Sequence, residues 1–168
     1  MLEKGFLGLC LIYCWMVMGN TSIPERNIQV ELYRHLKNVI EKKFSFDDIE
    51  FVDVKFEAPN IDGRPDLVIY AVEKGRARAF PLLVIETKRK VPYLQRRFDP
   101  FSRDVIAQAE RYATWLGAPY FATCNGELFV VFETFKEGVP LPERRLRHYK
   151  VSWPIDENFA RFVLEEIG

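Results

Sequence analysis

Cysteine is scarce in this chain. Among 168 residues there are three, Cys10, Cys14 and Cys124. That excludes a disulfide framework and a repeated CxxC metal motif, and makes a reducing compartment the simpler expectation. Histidine is scarcer still, with His35 and His148 alone. His35 falls on the apolar side of a helical repeat and His148 in a basic run, so they form no convincing catalytic pair. An excess of one charge is also missing. The 24 basic and 24 acidic residues leave a formal net charge of zero. This excludes a generally basic coat for polyanions, and any such binding must come from local patches. No internal repeat or low-complexity segment stands out.

An apolar stretch long enough to cross a bilayer is lacking as well. The run Phe6–Met18, FLGLCLIYCWMVM, has thirteen residues after a single Lys4, where a membrane span needs about 20. Its length suits the apolar part of a signal peptide. Its basic flank is weak, and GNTS is a poor small-x-small cleavage site. Three readings stay open: an unstructured extension or upstream artefact with the true start at Met16 or Met18, a signal or tether, and a packed helix. Residues 1–19 are therefore set apart as an extension, and 20–168 are read as one domain. The expected location is cytoplasmic, with membrane association through residues 5–19 as the alternative.

What is present is a chain 48% hydrophobic and 14% aromatic, enough for a sizeable core. Ile23 to Phe44 reads as a helix, with Ile28, Leu32, His35, Leu36, Val39 and Ile40 at three- and four-residue spacing. Pro24 and Glu25 suit its first turn, and Asp47-Asp48 closes it. Ile49 to Glu57 alternates Val52, Val54 and Phe56 against Asp53, Lys55 and Glu57, as a half-buried strand does. A turn over Asn60–Pro65 leads to a strand over Asp66–Val72. A polar turn leads to another strand over Ala79–Lys88. A basic, aromatic loop over Val91–Asp99 precedes a helix from Pro100 to Leu116, closed by Gly117. Tyr120–Thr123 and Leu128–Phe132 are strands joined at Asn125-Gly126, a hairpin signal. Residues 134–154 read as a loop, and Asp156–Ile167 as a closing helix. The expected architecture is α/β, a central mixed sheet flanked by helices.

The stretch PLLVIETKRK, residues 81–90, poses a chemical question. A buried strand ends with a carboxylate and an amine side by side. Alternation puts Glu86, Lys88 and Val84 on one face and Thr87 on the other. The polar turn at 73–78 makes the two flanking strands antiparallel, so Asp66 comes beside Glu86 and Lys88. Two carboxylates that close repel each other and raise a pKa. A hard divalent cation relieves this, and Mg²⁺ is typically held by one or two carboxylates. Lys88 could orient or deprotonate a water, or stabilise developing charge. An isolated Glu-x-Lys is common and usually solvated. The joint pattern, with a Pro-Asp twenty positions upstream of Glu86, is far more specific.

Pro65-Asp66…Glu86-Thr87-Lys88 resembles the PD-(D/E)XK nuclease superfamily. Glu31 sits where many members carry an acidic residue that completes the metal site, and Gln108-Ala-Glu-Arg-Tyr112 looks like the QxxxY motif of some branches. The text GRPDLVIY…PLLVIETKRK…QAERYATWLGAPYFATCNGELFVVF is similar to the N-terminal nuclease domain of type I restriction enzyme R subunits and related stand-alone proteins. The likeness runs from residue 24 to about 133. It implies a restriction-endonuclease-like αβββαβ core and metal-dependent hydrolysis of DNA. It also implies that Asp66, Glu86 and the Thr87 backbone carbonyl hold Mg²⁺, or Mn²⁺ in its place. Glu31 would contact metal, Lys88 would position or activate the attacking water, and Gln108 and Tyr112 would orient Lys88 or contact DNA. Arg89, Lys90, Arg96 and Arg97 follow the strand directly and are candidate phosphate contacts, with Tyr93 and Phe98 interleaved. The expected partners are DNA, a second copy of the chain, and motor or specificity subunits, since the chain has no ATP motif and no room for a motor. No small organic cofactor is expected. The rival reading is a module with the same fold that binds DNA or assembles without catalysis.

Overall fold

The structure, a computed structural model, describes residues 24–56, 64–89, 101–150 and 156–167, with the side chains of 147–150 left out. The N-terminal extension, the tip of the turn at 57–63, and the loop holding Lys90, Arg96 and Arg97 lie outside the described residues.

Helix α1 (Glu25–Glu41) starts after Pro24, whose missing N–H costs nothing at that position. It buries Ile28, Leu32, Leu36, Val39 and Ile40, the stripe its spacing predicts. The helix ends earlier than expected. Lys42 and Lys43 turn back onto Val39 and Ile40, with Lys43 at φ 59°. Asp47-Asp48 does not close it; these residues form the turn between a short strand β1 (Ser45–Phe46) and β2 (Ile49–Phe56). Asp47 takes φ 49° there, a conformation Asp tolerates better than most residues.

Strand β2 also corrects the simple alternation. Its register with β3 (Leu67–Glu73) slips between Phe51 and Asp53. The bulge pushes Val52 out to 39% exposure and buries Phe51 instead. A second bulge lies between β3 and β4 (Phe80–Thr87), where Ile69 pairs with Leu83 but Tyr70 with Pro81. Leu82 is the surplus residue, and Pro81 beside it is tolerated because the ladder is already broken.

Beyond β4, α2 (Arg103–Leu116) crosses to β5 (Tyr120–Cys124), which lies parallel to β4. A parallel neighbour requires such a crossover. Gly117 ends α2 at φ 71°, the left-handed cap that glycine favours. Strands β6 (Leu128–Glu133) and β7 (Arg145–Lys150) follow, antiparallel. The expectation of a loop through 134–154 fails at β7. That segment is at the end of the sheet, where charged side chains are common; Leu146 packs against the core, but one such residue sets no apolar alternation. Helix α3 (Glu157–Ile167) closes the described chain.

Among the described residues the result is a mixed α/β fold, a seven-stranded mixed sheet in the order β1 to β7 with three α-helices. One face of the sheet packs Leu67, Ile69 and Ile85 under α1 and α3 residues such as Leu32 and Val163. The other packs Val68, Val84, Phe121 and Phe132 against Ile106, Ala109 and Ala113 of α2. The central strands are thus buried on both faces, which is why they read as continuous apolar runs. Among the described residues, no helix is long and apolar enough to cross a membrane.

Candidate active site

The β3–β4 pairing runs in register at its far end, Leu67 opposite Ile85. One step further brings Asp66 opposite Glu86. Strand β4 is hydrogen-bonded to β5 through this region, with Lys88 donating its backbone N–H to the Cys124 carbonyl at 2.8 Å. N–H and C=O of successive residues face opposite edges of a strand. Thr87 therefore turns its own N–H and carbonyl to the β3 side, where β3 has just begun.

Asp66 occupies that place. Its Oδ2 accepts the Thr87 backbone N–H at 2.6 Å and the Thr87 hydroxyl at 2.7 Å. Glu86 is 2% exposed and points to the α2 face, as alternation predicts. Its Oε1 accepts Lys88 Nζ at 2.5 Å and Gln108 Nε2 at 2.7 Å. Its Oε2 is buried and has no hydrogen-bond partner among the described residues. Burial, then the nearby Asp66 charge, pushes the Glu86 carboxyl up to about 7 against the attraction of Lys88. Burial works against the Lys88 charge, but Glu86, Glu25 and Asp66 together hold its ammonium above the ordinary lysine value.

Gln108 and Tyr112, one helical turn apart, share a face of α2 as their spacing predicts. Gln108 reaches Glu86 and also donates to the Tyr112 hydroxyl at 3.2 Å. Tyr112 itself is buried among Val84, Ile106 and Phe121. Arg89 is exposed just past the strand tip. The structure brings together Asp66, Glu86, Thr87, Lys88 and Gln108. It places Glu31 elsewhere. Glu31 Oε2 accepts Arg34 Nη2 at 2.8 Å and lies 3.4 Å from His35 Nε2, about 9 Å further along α1 than Glu25.

Glu25 is the acidic residue of α1 that meets the site, in place of the expected Glu31. Its pKa is raised, by burial first and by Asp66, while Lys88, a backbone hydrogen bond from Arg89 and the Arg89 charge pull it down. Its place in the first turn also suits the helix dipole. Its spacing to Ile28 and Leu32, three and seven residues on, aligns it with the buried stripe and was the available signal.

No family model, curated protein or solved structure matches the chain. The site must therefore be judged on its own chemistry. Among the described residues, no three His, Cys, Asp or Glu side chains gather as a ready metal cage. Mg²⁺ typically needs only one or two carboxylates, the rest being water and substrate phosphate. Here two carboxylates and the Thr87 carbonyl are hard oxygen donors at one sheet end, and the buried, unpartnered Glu86 Oε2 is an oxygen that a cation would satisfy. The donor set suits a hard divalent ion. Cys124 offers no alternative chemistry. It is fully buried and its thiol is pushed up to about 12 by burial.

Proposed function

We propose that this chain is a divalent-metal-dependent deoxyribonuclease with a PD-(D/E)XK site on a restriction-endonuclease-like core. The observation that carries the reading is the partly buried meeting of Asp66, Glu86 and Lys88 at the β3–β4 end, with Gln108 bracing the buried Glu86 from α2. A stable fold has little use for that arrangement. A buried carboxylate with one oxygen left unpaired costs free energy, on the order of 1–3 kcal/mol.

Mg²⁺, or Mn²⁺ in its place, would be held by Asp66, Glu86 and the Thr87 carbonyl, with the Glu25 carboxylate close by. Bound there, it supplies Lewis-acid charge at a phosphoryl oxygen. The chain's own groups do the rest. The raised pKa of Lys88 keeps its ammonium charged at neutral pH. It therefore serves better as a donor that orients the attacking water and offsets charge growing on the phosphate than as a base. Gln108 holds Glu86 Oε1 in place, so the carboxylate's other oxygen keeps its direction. Arg89, exposed just past the strand tip, would meet a neighbouring phosphate. The expected substrate is DNA, and any translocation would come from partner subunits.

Cleavage of plasmid and single-stranded DNA, with Mg²⁺ and with EDTA, for wild type and Lys88→Ala, tests the reading. Cleavage is expected only from wild type with Mg²⁺. Equal cleavage in every condition would mark a contaminant. A wild type that shifts DNA without cutting it would leave a binding module.

A further inference from the structure

Thr87 occupies a position where an apolar residue would be the ordinary choice. It ends β4, is fully buried, and follows Leu83, Val84 and Ile85. A buried hydroxyl is unfavourable unless it finds a partner. Its partner is Asp66. The Thr87 hydroxyl and the Thr87 N–H both donate to one oxygen, Asp66 Oδ2, at 2.7 Å and 2.6 Å.

This geometry does more than satisfy a donor. A carboxylate on a one-carbon stem has two torsions to fix, and two donors on one oxygen fix both. The position of Asp66 Oδ1 then follows. Thr87 is itself β-branched and stiff at χ1, so its hydroxyl is a rigid fixture. Gln108 does the same for Glu86, from the other face of the sheet. We infer that the Thr87 hydroxyl is a positioning group that holds Asp66 ready for a divalent cation, a side-chain role distinct from that of the Thr87 backbone carbonyl. The inference rests on the metal-dependent reading and deepens it. Groups of this kind, bonded to a ligand rather than to the metal, orient ligands before the ion arrives.

The test is Mn²⁺ binding to the purified full chain by titration calorimetry, without DNA. Thr87→Val keeps size, shape and the backbone donor and removes only the hydroxyl. Thr87→Ser keeps the hydroxyl. The Val variant is expected to raise the Mn²⁺ dissociation constant about 10- to 100-fold, while Ser binds like wild type and both melt cooperatively. If Val does not fold, Thr87→Ala, which cannot clash, replaces it in the comparison. Binding by Val, or by Ala in its stead, as tight as wild type would overturn the assignment and leave the nuclease reading standing. Equal weakening in the hydroxyl-free variant and Ser would assign the effect to packing and overturn it too. A wild type that takes up no Mn²⁺ would bring down the metal-dependent reading itself, and the inference with it.

Discussion

Gln108 Nε2 reaches from α2 to the tip of β4 and donates to Glu86 Oε1 at 2.7 Å, the same oxygen that takes Lys88 Nζ. One amide thus steadies a carboxylate that burial makes reluctant to ionise. Gln108→Ala should fold normally and lose about 10- to 100-fold in DNA cleavage, since it removes an orienting group and not a reacting one. Single-turnover cleavage at saturating DNA reads this. A variant as fast as wild type would reduce the contact to mere packing.

Glu25 and Glu31 form a natural contrast on one helix. Glu25 feels the charges of Lys88 and Asp66, whereas Glu31 is engaged by Arg34 and His35. Glu25→Gln is expected to weaken cleavage and to raise the Mg²⁺ concentration needed for half-maximal rate. Glu31→Gln should cost far less on both measures. The reverse order of effects would return the helix contribution to Glu31.

The raised pKa of Glu86, about 7 in the fold against 4.5 ordinarily, sets a pH dependence in the metal-free protein. Between these values the folded state binds the extra proton, so stability falls as pH rises through this window, and the full cost is present above 7. Glu86→Gln mimics the protonated acid. In urea denaturation without metal it should be more stable than wild type by roughly 1–3 kcal/mol at pH 8, and nearly equal to it below pH 4.5. An identical difference at both pH values would show that Glu86 ionisation is not responsible.

Cys124 should resist alkylation. It lies in the core with its Sγ accepting the Gly126 N–H at 3.4 Å, and burial pushes its thiol to about 12. At pH 8 in native buffer, iodoacetamide should leave Cys124 unmodified in peptide mass mapping, and in denaturant it should label fully. Rapid native labelling would mean that the β5–β6 turn opens.

Much of this was readable beforehand, for identifiable reasons. The main helices announced themselves because each buries a periodic face, the central strands because burial on both faces makes them continuous apolar runs, and the Asp66–Glu86 meeting followed from one hairpin and strand alternation. Three things were harder to read. The bulge at Val52 breaks the period without a Gly or Pro to signal it. Strand β7 lies at the sheet edge, where Leu146 packing on the core leaves only a faint apolar trace beside Arg145, Arg147 and Lys150. Glu25 escaped because a first-turn acid has an ordinary explanation in the helix dipole, which masks its alignment with the buried stripe of Ile28 and Leu32.

The surplus Leu82 has a bearing on how this sheet could change. It separates β4 into two parts, one tied to the turn after Glu73 and one locked to Asp66 and β5. Lengthening or shortening of that distant turn can be absorbed at the slip, as a loose joint takes up play. The acid-bearing half keeps its facing while the opposite rim of the molecule is free to diversify.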